Sequence, residues 1–183
     1  MLEQRIQQQF FDSADLKYQT AETLSRPLAD AAAALHGTIV GGGKVMVCGT
    51  GQAAALADHM ATLLVGRFER DRPPLAAMAL AAAEAAAPKQ LQALGHPGDA
   101  LLLLDGGDTA ASRAAVAAAH EKEMTVLAVA GPGAAALREL LSETDVMIAV
   151  PHERVVRVLE LQMLALHCLC DAIDIQLMGE QDP

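Results

Sequence analysis

The chain has 183 residues, a formal net charge of −10 and a 52% hydrophobic composition, yet Phe10, Phe11, Phe68 and Tyr18 are its only aromatic residues. This length suits one domain with a sizeable core, and so few rings require that core to be built from close-packed helices and aliphatic strands. The acidic balance argues against direct contact with DNA, RNA or an anionic lipid surface, because phosphate binding is chiefly electrostatic, and the scarcity of rings removes the stacking platforms used for single-stranded nucleic acid.

The predicted elements begin with two helices, about 2–24 and 27–40, separated by Ser25-Arg26-Pro27. Ser25 can cap the second and Pro27 suits its first turn. Five short apolar runs follow as strands: 44–48, 75–80, 100–104, 125–130 and 145–149. None alternates with polar residues, as expected where helices cover both faces of a parallel sheet. Helix-like segments at 53–66, 84–94, 109–122 and 134–141 alternate with them, and turn signals stand between, such as Asp-Gly-Gly-Asp at 105–108 and Gly-Pro-Gly at 131–133. The pattern predicts one α/β domain over 1–183: N-terminal helices to 40, a doubly wound five-stranded parallel core over 44–150, and a last helix over 153–178. Sites in such folds lie at the carboxyl ends of the strands.

The last helix carries apolar residues almost all round, from Val155 to Ile173. Such a helix is central to the domain or shared between subunits, and here both are expected, which implies a homo-oligomer. Arg157 and Glu160 could pair across that interface or equally as an exposed pair, and the apolar end, Leu177 and Met178, would suit subunit or partner contact or simple helix-end packing. Arg157, Glu160, Gln162 and His167 interrupt the longest apolar stretch, so it does not read as a membrane span. The N-terminal MLEQRIQQQF lacks the apolar run of a secretory signal. Cys48, Cys168 and Cys170 are too few and wrongly spaced for a disulfide framework or zinc motif, and Cys48 reads as a small buried hydrophobe. A reduced, cytoplasmic protein is expected.

The chemistry-bearing segment starts at Lys44. A strand leads into Gly49-Thr50-Gly51-Gln52 and then a helix carrying His59. A glycine turn at a helix N-terminus offers backbone N–H groups to an anion, and Thr50 or Gln52 can hydrogen-bond a hydroxyl. Asp105 ends the third strand, where this fold places functional residues. Thr109 can donate to a ligand or cap the next helix, and Asp108 can cap it equally well. The glycine spacing also fits a dinucleotide fingerprint loosely, but the following strand ends at Leu80-Ala81 without an acidic residue for a ribose hydroxyl.

These features carry a resemblance. CGTG at 48–51, Asp58-His59, GRFERDRPPLAAMAL at 66–80, ALGHPGD at 93–99, VPHERVVRVLE at 150–160 and HCLCDAIDIQLMGEQD at 167–182 resemble the sugar isomerase (SIS) domain family nearly end to end. Within it the chain is similar to phosphoheptose isomerases and, in RFERDRPPLAAMAL, QLQALGHPGD and CLCDAID, to the DnaA initiator-associating (DiaA) group. The isomerase resemblance implies a Ser/Thr-rich phosphate turn where this chain has Asp105-Gly106-Gly107-Asp108-Thr109, so carboxylates stand in place of hydroxyls. It implies a glutamate base where Leu63 stands, and a metal set whose positions are His59, Leu63, Leu159 and His167. A serine of the glycine-rich turn is Ala53, and the connection between Leu80 and Gly95 is shorter than usual.

Base, half the metal set and most of the phosphate cradle are thus absent together. The resemblance then implies a non-catalytic protein of the DiaA kind, without cofactor or metal. It would be a homotetramer with DnaA as protein partner, promoting DnaA assembly at the replication origin by multivalency. Gly49, Thr50, Gly51, Gln52, Asp105 and Thr109 are the candidate ligand contacts, and His59 and His167 a residual metal pair. The alternative is a phosphoheptose isomerase-like protein that binds a sugar phosphate in a degenerate or altered site.

Overall fold

The structure, a computed structural model, describes residues 1–81 and 86–180. A long helix α1 (Leu2–Val40) leads into β1 (Val45–Gly51), α2 (Ala54–Val65), β2 (Ala77–Ala79), α3 (Ala86–Leu94), β3 (Ala100–Gly106) and α4 (Thr109–Glu121). Then come β4 (Thr125–Ala130), α5 (Ala134–Arg138), β5 (Val146–Ala149) and α6 (Val155–Met178). The sheet is five-stranded in the order β2-β1-β3-β4-β5, and every neighbouring pair is parallel. The expected doubly wound fold is present. The start of the helix expected over 84–94, with Glu84, lies outside the described residues.

Strand side chains divide by parity, as a period of two requires. Val45, Val47, Leu102, Leu104, Leu127 and Val129 point into one core layer with α1, α2 and α6. Met46, Cys48, Leu101, Leu103, Val126 and Ala128 point into the other, against α3, α4 and α5. Because both faces are covered, these runs have no polar alternation. At the amino edge of the sheet two aspartates tie strand starts together. Asp99 accepts from the Lys44 backbone N–H at 2.9 Å and pairs with the Lys44 ammonium. Asp145 accepts from Val126 N–H at 2.7 Å, Ser142 Oγ at 2.8 Å and His120 Nε2 at 2.8 Å.

One expectation fails at the N-terminus. The two helices at 2–24 and 27–40 are a single 39-residue α1 with Pro27 inside it. Ser25 is no cap: its hydroxyl donates back to Glu22 O at 2.9 Å. Proline removes one N–H and so frees the Thr23 carbonyl, but Thr23 is exposed and water can serve that group. Packing of the following turns against α6 keeps the helix going. Its buried residues are Thr20, Leu24, Ala31, Ala32 and Leu35. The preceding stretch is an arm with Phe10, Phe11 and Tyr18 exposed by 61–85%.

A second correction concerns Arg157 and Glu160. They pair at 2.6 Å within the one chain, and both hold the arm. Arg157 Nη2 donates to Gln9 Oε1 at 2.5 Å, and Ser13 Oγ donates to Glu160 Oε2 at 2.6 Å. The apolar end of α6 is also split: Leu177 packs against the core, while Met178 is 37% exposed.

Candidate functional site at the carboxyl edge of the sheet

β1 and β3 run further than their apolar stretches predict, to Gly51 and Gly106, because their ends lock backbone to backbone. Gln52 N–H donates to Gly106 O at 3.1 Å and Ala53 N–H donates to Thr50 O at 3.0 Å. A Cβ on Gly106 would collide with Ala53 N and Thr50 O, and Gly51 takes φ +52° against Gly106. The turn at Gly49, Thr50, Gly51 and Gln52 therefore uses the Gln52 N–H and the Thr50 carbonyl on the fold itself.

Beneath this junction Thr50, Asp105 and Thr109 come together, and Ser112 of α4 joins them. Asp105 is 3% exposed, Thr50 7% and Ser112 fully buried. Asp105 Oδ1 accepts from Ser112 Oγ at 3.1 Å and Gly107 N–H at 3.2 Å, and its Oδ2 accepts from Thr109 Oγ1 at 3.4 Å. Thr50 Oγ1 lies 2.8 Å from Ser112 Oγ. Since Ser112 gives its one proton to Asp105, Thr50 donates to Ser112, forming a chain of hydroxyls that ends on the carboxylate. Among the described residues Asp105 forms no ion pair. Gly133 closes the corner, where a Cβ would meet Asp105 Oδ2 and Thr109 Oγ1. Asp108 caps α4, accepting from Ala111 N–H at 3.1 Å, so Thr109 is left free to face Asp105.

From the other side Gln162 of α6, itself fully buried, fastens the same strand ends. Its Nε2 donates to Asp105 O at 2.9 Å and Val129 O at 3.0 Å, while its Oε1 is buried without a partner. Sequence reasoning missed Ser112, Gln162 and Gly133. Ser112 lies one helical turn beyond Thr109 on the same face of α4, and Gln162 is a lone amide inside an apolar helix; both were visible as pattern, though not as partners.

His59 of α2 and His167 of α6 also meet, Nε2 to Nε2 at 3.1 Å, with Phe68 packed 5.4 Å from His167. One of these nitrogens must be unprotonated to accept from the other. The two positions between them in the implied metal set are Leu63 and Leu159, both partly buried against the core. Two imidazoles alone fall short of the three or four protein ligands of a zinc site, and here each uses its Nε2 on the other. The residues do not fit that metal. Among the described residues no cluster of three or more His, Cys, Asp or Glu side chains could hold an ion. Cys48, on β1 behind the turn, is buried, which pushes its thiol up to about 11.

Comparison with known proteins gives this geometry its family. Residues 9–131 match the SIS domain model, and the chain belongs to that family. A phosphoheptose isomerase of Methylibium petroleiphilum is 55% identical over 196 residues, covering 100% of this chain and 98% of the relative. One from Aromatoleum aromaticum is 42% identical, covering 97% of each. Among solved structures, a phosphoheptose isomerase from Francisella tularensis superposes with a TM-score of 0.86 at 34% identity, covering 95% of this chain and 98% of its own. That from Neisseria gonorrhoeae gives 0.84 at 32% identity, covering 95% and 99%.

These relatives correct the leading functional expectation. Proteins alike over the whole chain are named phosphoheptose isomerase, so the non-catalytic, DnaA-assembling reading gives way. It had rested on short segments and on missing side chains, and full-length identity outweighs both. No helix among the described residues is long and apolar enough to cross a membrane.

Proposed function

We propose that this chain is a phosphoheptose isomerase-like protein that binds a phosphorylated open-chain sugar at the carboxyl edge of its sheet, in a site altered from that of its relatives. The observation that carries the reading is full-length identity of 55% to a protein of that name. The exposed turns at Gly51-Gln52 and Gly107-Asp108, with the half-buried Thr109, leave polar groups accessible at the ends of β1 and β3, where a polyhydroxylated ligand can reach them. Aldose–ketose interconversion moves a proton between neighbouring carbons and needs a positioned acid–base group. Leucine at position 63 offers none, so turnover through that position is closed and any isomerisation here is slow.

Calorimetric titration with sedoheptulose 7-phosphate, beside unphosphorylated sedoheptulose, tests the reading. Saturable binding that favours the phosphorylated sugar is expected, with little C–H exchange in heavy water seen by proton NMR. No saturable binding, or equal affinity for both sugars, would overturn it.

We also propose that the protein acts as a homo-oligomer joined through the α1 arm. Phe10, Phe11 and Tyr18 account for most of its aromatic surface and lie uncovered on a helix whose first turns no other element buries, and such a helix draws its stability from packing. A groove of about 370 Å³ beside the arm, lined by Thr20, Leu24, Leu28, Leu161, Leu164 and Cys168, continues that apolar surface. Light scattering should give a mass well above the 19.1 kDa of one chain. A monomer at micromolar concentration would count against it.

A further inference from the structure

We propose that the α1 arm is a strap: docked on the first two turns of α6, it holds the wall of the carboxyl edge in place, and Gln9 and Ser13 are positioning residues that act on a ligand through α6. The consequence for ligands rests on the sugar-phosphate reading above and adds its regulation.

Polar contacts, more than packing, hold the arm. No residue from Leu2 to Gln19 is buried, yet Arg157 beneath the arm is only 4% exposed. Gln9 and Ser13 stand one helical turn apart, on one face of α1, and bracket the Arg157–Glu160 pair. Arg157 Nη1 donates to Glu160 Oε1 at 2.6 Å and its Nη2 to Gln9 Oε1 at 2.5 Å, while Ser13 Oγ donates to Glu160 Oε2 at 2.6 Å. A guanidinium taken out of water is costly unless its donors are met, and among the described residues the arm alone supplies the acceptor for Nη2. A cavity of about 420 Å³, lined by Gln9, Phe10, Ser13, Lys17, Arg157 and Glu160, remains between the arm and α6. The polar contacts therefore decide whether the arm lies down. Its release returns Arg157 and Glu160 to water, so the contact can open while the core stays folded.

The other face of the same two turns builds the edge of the site. Val155 stands over Gly107, where an added Cβ would lie 3.2 Å from its Cγ2, and a Cβ on Gly131 would strike Val158. Gln162, one turn beyond Val158, holds the Asp105 and Val129 carbonyls. Close-packed interiors transmit strain, so a shift of these turns on release moves Val155 and Gln162 against the ends of β3 and β4. By linkage, a ligand seated on those strand ends favours the docked arm by the same free energy that the docked arm lends to binding.

The test compares the full-length wild type with a double variant, Gln9→Leu with Ser13→Ala, and with a conservative pair, Gln9→Glu with Ser13→Thr, which keeps an acceptor for Arg157 and a hydroxyl for Glu160. Hydrogen exchange read by mass spectrometry follows the arm and residues 155–162, light scattering gives the mass, and calorimetry gives the affinity for sedoheptulose 7-phosphate. In the double variant the arm and residues 155–162 should both exchange faster at unchanged mass, and the affinity should fall about fivefold or more. The conservative pair should behave as wild type, and saturating ligand should slow exchange in the wild-type arm. Faster exchange in the arm alone, with residues 155–162 as in wild type, would overturn the proposal, as would an arm that does not respond. An affinity lost only because the assembly falls apart would give the arm a joining role and also overturn it. The underlying reading separates from the strap. If wild type binds no sedoheptulose 7-phosphate, the sugar-phosphate reading falls and exchange at residues 155–162 decides the strap. If wild type binds it and the double variant binds it equally well, the strap falls and the reading stands.

Discussion

Arg72 and Asp174 meet at 2.6 Å with side chains only 1% and 2% exposed. The same guanidinium donates to Leu63 O at 2.9 Å and Leu64 O at 2.8 Å, so one side chain joins the end of α2, the segment after it and the end of α6. Asp174 Oδ2 is buried without a partner. Removing both charges from water is costly, and breaking such a pair leaves one charge uncompensated. Arg72→Met should therefore destabilise by about 3–5 kcal/mol, while Arg72→Met with Asp174→Leu should recover most of the loss. Urea midpoints at fixed protein concentration measure both; a double variant no better than the single would show that the carbonyl contacts matter more than the pair.

Asp99 makes stability depend on pH at the amino edge. Burial alone would push its carboxyl up, but hydrogen bonds from the Lys44 ammonium and the Lys44 and His96 backbone N–H groups, with the Lys44 charge, hold it below the ordinary 3.8. A depressed carboxyl contributes stability that is present above the unfolded value and lost as pH falls through the folded one. The wild type should lose stability as pH drops from about 5 through the carboxylate range, and Asp99→Asn should be less stable at pH 7 with a shallower acid slope. Parallel slopes in the two proteins would remove Asp99 from the acid transition.

Thiol chemistry should report the packing around α6. Burial, reinforced by the Asp174 charge and eased by Arg72, pushes Cys170 up to about 12, and burial pushes Cys48 up to about 11. Cys168 is exposed, though partial burial and the Asp171 charge raise its thiol as well. Since the thiolate is the reactive form, a chromogenic disulfide reagent at pH 8 should titrate at most Cys168 in the native protein and all three cysteines in urea. Two fast native thiols would mean that one of the core layers opens readily.

Gly106→Ala should cost at least about 1–3 kcal/mol, the range for overpacking, because the added methyl meets backbone and not a movable side chain. Thermal melts give the loss. A neutral substitution would show that the β1 and β3 ends part without penalty.

Much of the fold was legible in the residues. β4 spans 125–130 as its apolar run predicts, because a strand buried on both faces must be apolar throughout. The joined α1 was not legible, since Pro27 after Ser25 reads locally as a helix start, and only packing against α6 overrides it. At the site, Asp105 and Thr109 could be picked out by position after a strand, but their meeting with Thr50 and Ser112 depends on the β1–β3 register, which pairs Thr50 with Asp105 across the sheet. Arg157 and Glu160 were seen as a pair, while Gln9 and Ser13, nearly the whole chain away, left no local trace.

The locking of Gly106 against the turn at 49–53 has an evolutionary consequence. That junction is made of main-chain atoms and glycines, so its contacts do not depend on which side chains stand at Leu63 or Leu159. Variation at those positions changes the chemistry of this edge and leaves the hydrogen bonds that join the strand ends in place.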